Sequence, residues 1–182
     1  IKQDGDDGSF SAVFATFDVV DHDGDVTKPG AFAEGAEVVV GSWGHKAHDL
    51  PVGKAIIRAD RKEARIDGQF FLNTEAGRET YQTVKNLGAL QEWSYIFMPT
   101  RVSFGEFDGH DVVRFLEEVQ VFSVDPVLAG AGIDTRTTGI KGLGDAGEAL
   151  LAEVLVYGER VKSRAAFRAK EGRVLSTANV SR

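Results

Sequence analysis

The chain contains no cysteine, so it forms no disulfide, holds no metal through thiolates and has no thiol nucleophile. Basic residues are the second shortage. Lys and Arg total 21 against 28 Asp and Glu, a formal charge of −7, which argues against the clustered cations that displace counterions from nucleic acid. No apolar run approaches the roughly 18–20 residues of a membrane span, and no signal peptide opens the sequence. We therefore expect a soluble, intracellular protein with neither nucleic acid nor membrane as partner. Metal is not expected either. Asp21-His22-Asp23-Gly24-Asp25 has the acidic spacing of a calcium loop, but Val26 stands where the sixth-position glycine belongs and Phe32 where the bidentate glutamate belongs. A solvated turn explains those residues better, and nothing calls for a cofactor.

What is present suits one domain with a trailing segment. The 182 residues, 42% of them hydrophobic, are enough to bury a single sizeable core. Alternating apolar residues begin at Phe10 and run to Val19, Glu37–Val40 reads as a buried strand, and Lys54–Asp60 with Ala64–Leu72 reads as an antiparallel pair. Pro29 to Ala33 suggests a short helical turn. The period then changes: Asn73 or Thr74 caps a helix carrying Ala76, Tyr81, Val84 and Leu87 on one face, and Gly88 ends it. Ser94 follows on the next strand, and Val102–Phe107, Val112–Phe115 and Val119–Val127 continue as short β-runs punctuated by Gly105 and Gly109. Residues 139–147 hold four glycines and read as a hinge. Beyond it, Leu150, Leu151, Val154, Leu155, Val161 and Phe167 recur near helical spacing, acidic residues early and basic residues late; Gly158 interrupts that pattern, and 172–182 is polar. The expected domains are a core over 1–138, the hinge over 139–147 and a helical extension with a polar tail over 148–182.

With no thiol available, a serine activated by histidine is the obvious nucleophile. His45 lies in Ser-Trp-Gly-His-Lys-Ala-His-Asp-Leu-Pro, between two strand-like runs, and Ser94 heads Trp-Ser-Tyr-Ile-Phe. Taken alone, a hydrogen-bonded loop histidine and an ordinary strand serine fit the same residues. Trp43 and Trp93 flank the pair, either as walls of a cleft or as core. His22 and His110 sit in turn-like sequence and receive no role.

Val20–Asp25 with Pro29–Phe32, Trp43–His45 with Leu50–Lys54, the helix residues Thr74, Gly77 and Tyr81, then Glu92-Trp93-Ser94 and Pro126–Gly132 occur in one order across residues 10–137. This arrangement resembles the tailed-phage prohead maturation proteases, and Arg173–Ser176 resembles their C-terminal extension. The resemblance implies a serine endopeptidase of the herpesvirus assemblin type. Its expected fold is α+β, a β-barrel core of mostly antiparallel strands surrounded by helices, with a C-terminal helical segment. Its implied substrates are scaffold and major capsid protein precursors, cleaved inside the immature procapsid in the host cytoplasm, with self-cleavage and self-association. His45 would be the general base and Ser94 the nucleophile. Relatives often carry Glu where this chain has Ser123; Asp125, two residues on and on the same side of a strand, is the first substitute, with Glu118 and His48 as alternatives. Gly130, Gly132 and Arg136 mark the expected oxyanion region. Two rival readings stay open: a catalytically impaired homologue serving as an internal scaffold or assembly module, and a hydrolase of small esters.

Overall fold

The computed structural model describes residues 6–46 and 48–141, all within the first of two units, which ends at Leu143. The expected C-terminal helix, the Leu175-Ser176 region and most of the glycine-rich hinge lie outside the described residues. Among the described residues there are eight strands: β1 (Ser9–Thr16), β2 (Asp25–Thr27), β3 (Glu37–Val40), β4 (Gly53–Ala59), β5 (Glu63–Phe70), β6 (Glu92–Phe107), β7 (His110–Val127) and β8 (Arg136–Ile140). One helix, α1 (Glu75–Leu87), and a single 3₁₀ turn at Gly88–Leu90 separate β5 from β6.

Local sequence accounts for several of these elements. Thr74 caps α1 by accepting from the Gly77 amide, and Gly88, at φ +55°, donates its amide to Val84 as the helix ends. Tyr81 and Val84 form the buried face. The β4–β5 pair is antiparallel as expected; its turn is closed by the Asp60 carboxylate, which accepts from the amides of Lys62 and Glu63. Pro29-Gly30 makes a turn and no helix. The three β-runs expected after Ser94 are two long strands, because register shifts near Ile96, Pro99 and Gly105 absorb the breaks without ending the ladder. Asp108 and Gly109, at φ +47° and +82°, turn β6 into β7.

The sheet corrects the expected architecture. β8, β1, β5, β4, β3 and β7 follow one another, β2 shares the β3 edge of β7, and β6 covers its other edge. Both β2 and β3 run parallel to β7, so the sheet is mixed, and no ladder joins β6 to β8 among the described residues. It is an open mixed sheet, not a closed barrel ringed by helices, and one helix of 13 residues leaves the described part mostly β. The physical reason lies where β6 approaches β8. Side chains occupy the place of a ladder there: the Trp93 amide donates to Thr135 Oγ1 at 3.1 Å, and the Trp93 indole, the Gln91 amide and Thr137 form a polar group sealed from solvent. With the Gln91 amide oxygen facing Thr137, that oxygen accepts from both the indole and the threonine hydroxyl. Core packing centres on the same place, since Trp93 stacks on Phe10 at 5.0 Å between centroids, and Phe10 in turn meets Phe70.

A buried polar group that loses its partner costs its desolvation free energy. Thr137→Val is therefore expected to lower unfolding free energy by about 1–3 kcal/mol, measured by urea denaturation, while circular dichroism retains the β signature.

Candidate active site

β7 is the strand on which the site is built. Val40 at the end of β3 lies in parallel register with Val124, and the chain then leaves the sheet as a loop that stays fastened to β7. The Gly41 amide donates to the Val124 carbonyl at 3.3 Å and the Gly44 amide to the Pro126 carbonyl at 3.0 Å. Ser42 closes the loop from within, donating its hydroxyl to the Lys46 carbonyl. Gly44 and His45 both adopt left-handed backbone, φ +72° and +59°; this is unusual for a residue with a side chain. The loop thus straddles Asp125.

The Asp125 side chain is only 2% exposed, and each of its oxygens has a partner. Oδ1 accepts from the Gly41 amide at 3.0 Å, and Oδ2 meets His45 Nδ1 at 2.5 Å. A carboxylate buried to that degree requires such partners. An ionised carboxylate can only accept, so a proton on His45 Nδ1 is the arrangement that satisfies this contact, with Nε2 then the basic nitrogen. Ser94 lies directly opposite Asp125 in the β6–β7 ladder, and directly opposed residues of antiparallel strands project from the same face. Trp93 and Tyr95 alternate to the core face, where Trp93 is fully buried. His45 and Ser94 line one open cleft, together with His22, Asp23, Ile96 and Gly130. No hydrogen bond joins Ser94 to His45 among the described residues, and loose nucleophile–base spacing is common before substrate binds.

The remaining sequence candidates separate. Glu118 is exposed on β7 and faces Arg101 at 3.5 Å; His48 is exposed in the following loop. Ser123 lies opposite Ile96 and beside Val39. Of the three oxyanion candidates, Gly130 abuts Ser94: a Cβ on it would stand 3.4 Å from the serine Cβ. Its amide donates to Glu92 Oε2 at 2.7 Å. Arg136 pairs instead with Glu63 on β5 at 3.0 Å, and Gly132 packs near Thr135 and the Phe14 carbonyl; neither lines the cleft. Trp43 packs against the core cluster from a partly exposed position.

From sequence, Gly41 draws no attention, Glu92 stands out only within the Glu92-Trp93-Ser94 motif, and His22 and Asp23 read only as part of a solvated turn. The acidic turn reaches the cleft because the His22 amide donates to the Ala131 carbonyl at 2.9 Å, and the turn itself is built on Asp21, whose Oδ1 accepts from the amides of Asp23 and Asp25. Burial holds the Asp21 carboxyl above the ordinary range. Asp25 is fixed by a two-point pair with Arg114, its register partner on β7. A hydroxyl, an imidazole whose Nδ1 meets a carboxylate, and that carboxylate buried behind it are the components of acyl transfer through a serine.

A family model described as caudovirus prohead serine protease matches residues 1–145. No curated protein and no solved structure matches the chain.

Tyr95 supports the cleft floor from the core side, packed edge-on against Phe14 and Phe32. Burial pushes its phenol up to about 12. In the unfolded chain the phenol ionises near its ordinary value of about 10, so between these limits the native state binds the additional proton. Its contribution to stability is complete below about pH 10 and declines as pH rises towards 12. Urea midpoints across that interval are expected to fall, and Tyr95→Phe to reduce the slope.

Proposed function

Because this chain belongs to the caudovirus prohead serine protease family, we propose that it hydrolyses peptide bonds with Ser94 as nucleophile, His45 as general base and Asp125 as the orienting carboxylate. Family membership makes it a serine peptidase of phage capsid maturation. The observation that carries the residue assignment is the 2.5 Å contact of His45 Nδ1 with Asp125 Oδ2, formed directly across the ladder from Ser94. Asp125 holds the tautomer in which Nε2 accepts the serine proton, and it stabilises the imidazolium that results.

Ser94 Oγ attacks the scissile carbonyl as His45 Nε2 takes its proton. His45 then protonates the leaving amine, and water releases the acyl group by the reverse proton path. The loop at Gly130 abuts Ser94 and in this reading is the source of backbone donors for the oxyanion; the Gly130 amide, which donates to Glu92 Oε2, would have to exchange that partner to serve. The substrates in this reading are scaffold and capsid precursors inside the immature procapsid, and the reading includes self-association. The assembly-module alternative rests on Ser123 standing where the resemblance leads one to expect a Glu. A buried carboxylate two residues on, in contact with the histidine, supplies the group that Ser123 lacks and favours the enzyme.

Incubation with capsid and scaffold precursor, followed by fragment masses, tests the assignment. Ser94→Ala and His45→Ala should reduce cleavage to background, and Asp125→Asn should reduce it roughly 10³–10⁴-fold; cleavage by Ser94→Ala at the wild-type rate would remove the serine from the reaction. Self-processing is expected near Leu175-Ser176. Intact masses of stored wild type should then be shorter than those of Ser94→Ala, and equal masses would exclude it.

A further inference from the structure

We propose that Gly41 is a positioning residue for the reaction, setting the Asp125 carboxylate and, through it, the tautomer and direction of His45. The role rests on the Ser94–His45–Asp125 reading above, but its geometry stands apart from any activity. A Cβ added at Gly41 would lie 2.2 Å from Asp125 Oδ1, 2.8 Å from its Cγ and 3.1 Å from Oδ2. No rotation of a methyl group relieves a contact with all three atoms. Gly41 is not among the glycines at positive φ, so its backbone is open to any residue. Space for the carboxylate is therefore what excludes a side chain here, not conformation.

The carboxylate has nowhere to retreat. Its side chain is 2% exposed and Oδ2 is engaged by His45, while Oδ1 is held by the Gly41 amide at 3.0 Å. One residue thus provides both the hydrogen-bond donor and the vacancy into which the acceptor fits. Displacement of Asp125 would act on His45 directly, because the histidine lies four residues further along the same loop, whose Gly44 amide is fastened to Pro126. A misplacement of about 1 Å in such a relay is enough to cost on the order of 10²-fold in rate.

The test is a cycle of Gly41→Ala and Asp125→Ala, singly and together, followed by urea unfolding and by ¹⁵N spectra of His45. Wild type should show the proton on His45 Nδ1, and Gly41→Ala should lose that preference and cleave precursor roughly 10²–10⁴-fold more slowly. Val40→Ala, which weakens the neighbouring buried strand position, should lower the urea midpoint and leave the tautomer unchanged. In the Asp125→Ala background, which removes the atoms the new methyl would strike, Gly41→Ala should produce little further fall in the urea midpoint. This comparison decides the matter even if Gly41→Ala alone does not fold, since the double variant should fold as Asp125→Ala does. An equal fall in both backgrounds, a Gly41→Ala protein that keeps the Nδ1 tautomer, or a wild type protonated at Nε2 would overturn the proposal. Failure of the proteolytic reading is separate: it would appear as cleavage by Ser94→Ala, with the tautomer and stability cycle still reporting on Gly41.

Discussion

The burial of the Asp125 carboxylate governs the architecture around the cleft. An ionised group taken almost completely out of water incurs several kcal/mol of desolvation unless its oxygens are partnered. Here the partners are the Gly41 amide and the His45 imidazole, and both belong to the loop that follows β3. The position of the histidine is thus coupled to the satisfaction of a buried charge. Amide bonds to the carbonyls of Val124 and Pro126 hold the same loop on both sides of the carboxylate, so the imidazole is presented by a short, closed loop despite its left-handed backbone.

The mixed pairing of β7 makes that arrangement possible. An antiparallel neighbour on one edge, β6, places Ser94 opposite Asp125. A parallel neighbour on the other edge, β3, ends at the height of Val124 and releases its loop where the carboxylate emerges. Three side chains from three distant parts of the chain converge because one strand has different partners on its two edges. The same geometry separates Gly130 from Arg136. The turn after β7 brings Gly130 back against Ser94, whereas Arg136 has already entered β8 and is neutralised by Glu63 across β1.

Features governed by local rules were readable in advance. The Thr74 cap and the Gly88 stop of α1, the β4–β5 hairpin and the presence of β3 follow from capping, turn chemistry and periodicity within a dozen residues or fewer, although β3, expected to be buried, has Glu37 and Val39 exposed. The continuity of β6 and β7 was not readable, since whether a glycine or proline ends a strand or is absorbed as an irregularity depends on the partner strand. The openness of the sheet was hidden for a similar reason. Closure depends on whether its two ends pair, and here Thr135 and Thr137 meet Gln91 and Trp93 through side chains.

The amino-acid sequence by itself determined the chemical inventory: no thiol, a histidine between strand-like runs, a serine at a strand start, and Asp125 on a strand side that a carboxylate at 123 would have shared. Periodicity of two residues supplies that last statement without any knowledge of neighbours. Tertiary structure alone decided which carboxylate reaches His45, which of the glycines adjoins Ser94, and that Gly41 has no room for a side chain. Those outcomes depend on contacts across 80 and 84 residues for Asp125 with His45 and Gly41. Separations of that size are fixed by strand register and by the partners a buried charge requires, and no local pattern encodes either.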